Sequence, residues 1–134
     1  MANLIVVSHS FKLAKETIHF AKEMSGNKEL DYQIINASGL DENTFGTDST
    51  KITASIIEAT ADSEAIIFHE IGSSILASEM AIDMLEDSLK NKVILAKLPL
   101  VESLFIALNV NNQNMRAVDL QTMLISEIKT LYGF

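Results

Sequence analysis

The chain of 134 residues is 48% hydrophobic, which supplies one buried core but too little length for a second domain. Ten basic against eighteen acidic residues give a formal charge of −8 with no Lys/Arg-rich block, so a nucleic-acid footprint is missing and the acidity suits either solubility or docking on a basic protein surface. The absence of cysteine excludes a disulfide framework, a thiolate nucleophile and a cysteine metal site.

Asn3 to Ser8 reads as a buried strand, because its Leu-Ile-Val-Val run is short and ends where the apolar period changes. That run is too short to cross a bilayer and lacks the basic flank of a signal peptide, so a cytoplasmic location is expected. Ser10 caps the helix that follows, with Leu13, Ala14, Thr17, Ile18, Ala21 and Met24 on one face and Ser25-Gly26-Asn27 as the stop. A second strand is predicted over Tyr32 to Ala37. Ser38-Gly39 opens a polar loop to Gly46-Thr47-Asp48, where another helix begins with Ile52, Ile56 and Ala59 facing inward. Ala65 to Phe68 is the third strand, and His69-Glu70-Ile71-Gly72-Ser73-Ser74 leads into a helix that offers Ile75, Met80, Ala81 and Met84 for packing. Val93 to Ala96 is the fourth strand. Pro99 punctuates the next junction before a short helix carrying Leu100, Val101, Leu104 and Leu108, and a last helix is predicted from Met115 to Tyr132. The six methionines stand mostly at helical spacing and read as core.

Alternating strands and helices indicate a single α/β domain over residues 1–134, with a mainly parallel sheet flanked by helices on both faces. In such sheets ligand chemistry gathers beyond the carboxyl ends of the strands. His9, Ser38-Gly39, Glu70 with Gly72-Ser73, and Pro99 with Glu102 all fall just after strands, so they are expected to share one rim.

His9 at a strand-to-helix junction is a nitrogen nucleophile beside free amides and the positive end of a helix dipole, which suits phosphoryl transfer. The competing reading is a residue that only caps the helix or lines the core edge. Glu70 is the leading partner to orient the ring, beside it rather than in line with an incoming phosphoryl group. Ser10, Thr47, Gly72 and Ser73 are candidates to contact phosphate through hydroxyls and exposed amides. His19 is expected to be exposed or partly packed, and His69 to point to the opposite face of its strand from Glu70. Three scattered histidines predict no metal site, and without a Gly-rich lysine loop or a Gly-x-Gly-x-x-Gly turn no nucleotide cofactor is expected.

Val6-Val7-Ser8-His9-Ser10, Gly46-Thr47-Asp48, Glu70-Ile71-Gly72-Ser73-Ser74 and Pro99-Leu100-Val101-Glu102 occur in an order that carries a resemblance over nearly the whole chain. The chain resembles the phosphotransfer subunits of phosphoenolpyruvate-dependent dihydroxyacetone kinases, relatives of the mannose-type enzyme IIA domains of the sugar phosphotransferase system. The resemblance implies the mannose-type enzyme IIA fold, a homodimer, and a relay in which HPr passes a phosphoryl group to His9. His9 would then rephosphorylate ADP held on the nucleotide-binding kinase subunit, which serves dihydroxyacetone held on its own subunit. Neither a bound cofactor nor membrane insertion is implied. The chain departs from the pattern at Glu70, where Asp is usual, at Ser38 and Ser103, where Gly is usual, and at Ser74, where Ala is frequent. The longer Glu70 side chain is expected to displace the carboxylate unless the backbone shifts, and the extra serines to narrow the rim or alter docking. Two other readings stay open: a sugar-specific mannose-type enzyme IIA that uses the same His9, and a regulatory paralogue in which transfer has been lost.

Overall fold

Strand β1 (Ala2–Val7) is buried at every residue, as expected for a run of Leu, Ile and Val that has neighbours on both faces. The computed structural model describes residues 1–133. It places β1 between β2 (Ile34–Asn36) and β3 (Glu64–His69), with β4 (Val93–Leu95) outside β3, giving the order β2-β1-β3-β4 with every pairing parallel. The α/β expectation is met.

Side chains alternate across the sheet and make two cores. Leu4, Val6, Ile66 and Phe68 face α1 (Phe11–Met24), α5 (Leu100–Val110) and α6 (Ala117–Tyr132), where they join Leu104, Leu108, Leu120, Leu124 and Ile128. Ile5, Val7, Ala65 and Ile67 face α2 (Ser49–Ala59) and α3 (Ser73–Asp83), meeting Ile52, Ile56, Ala59, Ala77 and Ala81. Each buried Leu, Ile or Phe contributes about 1.5–3 kcal/mol relative to exposure.

The strand edges differ from expectation where side chains replace ladder bonds. Ser8 lies outside β1 because its N–H donates to the Ser38 hydroxyl at 2.8 Å. Tyr32 and Gln33 lie outside β2, the Gln33 N–H donating at 2.9 Å to the Asn3 side chain. The last helix starts at Ala117 rather than Met115, since the Ala117 N–H donates to Glu64 at 2.9 Å and so fixes the first turn. A short helix α4 (Asp87–Lys90) was not anticipated; four residues carry no period to read.

Helix α3 inverts the usual pattern. It buries the small residues Ser74, Ala77, Ser78 and Ala81, while Met80 and the following Met84 are 58% and 61% exposed, so neither packs inward as predicted. Small residues let this helix lie close to the sheet. The core reading of the methionines fails more widely, since Met24 and Met123 are also exposed, and Leu13 stands out of α1 as well.

Candidate functional site

The site forms at the point where the chain leaves the two central strands in opposite directions. After β1 it turns to α1 on one face, and after β3 to α3 on the other, so a crevice opens between the carboxyl ends of these neighbours. His9 follows β1 and Glu70 follows β3. The pairing of Val7 with His69 brings both junctions to the same level.

Glu70 holds His9 twice through one oxygen. The His9 backbone N–H donates to Glu70 Oε1 at 2.9 Å, and the same oxygen meets ring Nδ1. With its extra methylene the Glu70 carboxylate still reaches both the amide and the ring of His9. Burial pushes the Glu70 carboxyl up, but the His9 amide, the His9 ring and the Ser8 hydroxyl together hold it below its ordinary value. An ionised carboxylate accepts from Nδ1–H, which assigns the tautomer and leaves the lone pair on Nε2.

Nε2 meets the Ser73 hydroxyl, and the His9 side chain keeps 25% of its surface exposed, enough for a reactant to reach it. Ser73 is the first residue of α3. No side chain caps this helix, and the amides of Gly72 and Ser73 make no hydrogen bond among the described residues. Two free N–H groups at a helix start, next to a nucleophilic nitrogen, make a seat for an anion. A Cβ on Gly72 would meet open space, so the glycine matters here for access rather than for backbone conformation.

The other predicted phosphate contacts, Ser10 and Thr47, make no hydrogen bond to the His9 ring, whose partners are Glu70 and Ser73. The Ser10 hydroxyl accepts from Leu13 N–H at 3.1 Å as the α1 cap. Thr47 follows Gly46, whose N–H donates to the His9 carbonyl at 2.8 Å, but the Thr47 hydroxyl has no partner among the described residues. Pro99 and Glu102 do share a rim with Glu70: a cavity of about 460 Å³ is lined by all three with Leu13, Ile71 and Val101. Among the described residues no group of three His, Asp or Glu could hold a metal ion.

The added serines do not narrow this rim. Ser38 is fully buried, with its hydroxyl donating to Val6 O at 3.1 Å while accepting from Ser8 N–H, so it stitches β1 to β2. Ser74 donates to Ile71 O and Ser103 to Pro99 O, each within its own helix turn. Buried hydroxyls turn inward because an unmet one is costly. His69 is buried too, its Nδ1 donating to Glu70 O at 2.8 Å, and His19 is exposed beside Glu16 and Glu23.

Sequence reading missed Lys51. Its ammonium donates to Ser38 O at 2.9 Å and lies 5.3 Å from the Phe11 ring centroid, tying α2, the loop after β2 and the start of α1 together on one side of His9. A lysine in the first turn of a helix, where the dipole disfavours cations, was the available signal.

Comparison with known proteins points the same way as this geometry. The family model EIIA-man, described as the PTS system fructose IIA component, matches residues 3–120. The phosphoryl donor subunit DhaM of the PEP-dependent dihydroxyacetone kinase of Providencia stuartii is 40% identical over 105 residues, covering 76% of this chain and 21% of that protein. The corresponding subunit of dihydroxyacetone kinase 2 of Listeria innocua is 33% identical over 107 residues, covering 80% of this chain and 83% of that protein. The chain thus spans about a fifth of the Providencia relative and most of the Listeria one. A crystal structure of the unknown-function protein EF1359 superposes with a TM-score of 0.76 at 31% identity, over 90% of each chain.

Proposed function

The chain belongs to the EIIA-man family, and from that premise we propose that it is a phosphotransferase subunit that carries a phosphoryl group on His9 in a phosphoenolpyruvate-dependent dihydroxyacetone kinase system. The observation that carries this reading is the division of labour on the imidazole: Glu70 accepts the Nδ1–H hydrogen bond and leaves Nε2 as nucleophile beside the two free amides of Gly72 and Ser73.

In the first step the lone pair of Nε2 attacks the phosphorus of phosphohistidine on HPr; the Nε2–P bond forms as the donor's N–P bond breaks. The Ser73 hydroxyl, which caps the lone pair at rest, turns to a phosphoryl oxygen. The imidazole gains positive character, and the Glu70 carboxylate balances it through Nδ1–H without facing the phosphoryl group. In the second step an oxygen of ADP on the nucleotide-binding kinase subunit attacks the same phosphorus, and ATP leaves with His9 restored. Little covalent work falls to the protein, so alignment and fixed amide dipoles supply most of the rate.

A homodimer accords with the stripe of Leu76 and Met80 on α3 and Met84 just after it, which leaves large apolar side chains in water. No helix among the described residues is long and apolar enough to cross a membrane. The intact Glu70 contact supports a transferring protein over a regulatory one.

The test is intact-mass analysis of wild type and His9→Ala after incubation with phosphoenolpyruvate, enzyme I and HPr. One acid-labile phosphate on wild type alone is expected. Label on His9→Ala, or none on wild type while HPr is charged, refutes the assignment. Transfer onward to the purified kinase subunits, against a purified mannose-type IIB domain, identifies the acceptor.

A further inference from the structure

The loop between β2 and α2, whose Gly46 N–H donates to the His9 carbonyl, carries an exposed aromatic side chain. Phe45 is 78% exposed, yet the backbone that carries it is tightly braced. The Asp41 carboxylate accepts from Asn43 N–H at 2.8 Å and from the Thr44 hydroxyl at 2.9 Å, and the Leu40 N–H donates to Thr44 O at 3.1 Å. These bonds, the amide first and then the hydroxyl, hold the Asp41 carboxyl below its ordinary value. Gly46 adopts a φ of +141°, and a Cβ there would come within 2.9 Å of the Leu40 side chain, so the turn closes only with glycine. Its N–H then donates to the His9 carbonyl.

Phe45 is thus presented by a pre-organised loop bonded directly to the phosphoryl acceptor. It does not stand alone, since Leu40 on the same loop, Leu13 on the first turn of α1 and the 73% exposed Ile71 after β3 all come from segments that meet at His9. Its loop is acidic in sequence, with Asp41 and Glu42 before Phe45 and Asp48 after it, while Lys51 of α2 is turned to Ser38 O.

We propose that Phe45 is the anchor by which the phosphoryl donor protein docks, inserting into an apolar pocket ringed by basic side chains on that partner. The inference rests on the phosphocarrier reading above. A rigid exposed aromatic within an apolar surround is the side-chain type that dominates interface energetics, and an acidic flank adds steering toward a basic face. A partner that must bring phosphorus to Nε2 covers this rim.

The experiment measures steady-state phosphorylation by phospho-HPr, with direct titration of unphosphorylated HPr, for wild type, Phe45→Ala, Phe45→Leu and Glu42→Lys. Phe45→Ala is expected to raise the KM for HPr about tenfold or more with kcat within about twofold. Phe45→Leu recovers part of that loss, and Glu42→Lys weakens binding at low salt but not at high salt. A thermal melt matching wild type confirms that the loop change has not unfolded the chain. A KM within twofold of wild type in Phe45→Ala overturns the anchor and leaves the phosphocarrier reading standing. Binding of HPr that depends on Phe45, on a chain that never takes phosphate, upholds the anchor and overturns that reading. Absence of both binding and phosphate overturns both.

Discussion

Strand β3 has a carboxylate at each end, and the two do opposite work with similar bonds. At the amino end Glu64 accepts from Arg116 Nη2 and from Ala117 N–H, both at 2.9 Å, and so pins the start of α6. Beyond the carboxyl end Glu70 accepts from a backbone N–H and a cationic-capable side chain in the same manner, but that side chain is the His9 ring. Both carboxyls lie below their ordinary values. At Glu64 the Arg116 hydrogen bond is the main cause; at Glu70 burial opposes the shift and the His9 bonds overcome it. The guanidinium is permanently charged, so the Glu64 clamp is finished once the chain folds. The imidazole keeps its second nitrogen, which meets the Ser73 hydroxyl, partly open to solvent, so in the proposed transfer the Glu70 clamp continues to act through the ring. The partner, rather than the carboxylate, makes one end architecture and, on the proposed function, the other end chemistry.

Removing the reactive partner should break the comparison most completely. His9→Ala is expected to abolish phosphoryl uptake, read by intact mass, while circular dichroism and the melting temperature stay close to wild type. Glu70→Gln is next: an amide no longer fixes the Nδ1–H tautomer or balances the ring charge, so the transfer rate falls about a hundredfold or more in rapid-quench kinetics. A rate within threefold of wild type would show that the backbone bond alone orients His9.

The architectural end should respond in the other currency, stability. Glu64→Ala leaves the Ala117 amide and Arg116 without their acceptor and is expected to cost about 1 kcal/mol, lowering Tm by about 3–5 °C, after allowance for the exposure of the arginine. Phosphoryl transfer should be unchanged. A transfer defect in this variant would mean that the two ends of β3 are coupled.

The smallest effect is in the pH dependence. Because both carboxyls are lowered on folding, the unfolded chain binds more protons in the interval below the ordinary glutamate value. Their contribution is complete above about pH 5 and is lost as pH falls through the lowered folded values. Glu64→Gln and Glu70→Gln should each flatten that acid limb in urea-unfolding titrations, by separate increments if the ends are independent.

Much of this was legible in the chain itself. The strand-to-helix turn at Val6-Val7-Ser8-His9-Ser10 is read to within one residue, Ser8, because a fully buried strand and a capped helix leave strong local signals. Ile52, Ile56 and Ala59 fall inward as their spacing requires. What escaped depends on neighbours distant in sequence. Met80 and Met84 have the hydrophobicity of core residues, yet the sheet is approached by the Ser and Ala face of α3, a choice set by close packing rather than by apolar content. Likewise nothing local tells that Ser38 would turn its hydroxyl between two strands, or that Glu70 would spend one oxygen on a backbone amide 61 residues earlier.

The hydrogen bond from Gly46 N–H to the His9 carbonyl joins two backbones and involves no side chain of the loop other than the glycine's absence of one. With Asp41 and Thr44 kept to brace the turn, the side chains at 42, 43 and 45 are therefore free to exchange without disturbing the imidazole. If Phe45 anchors the donor as proposed, partner choice can be retuned at these three positions while the site around His9 stays as it is.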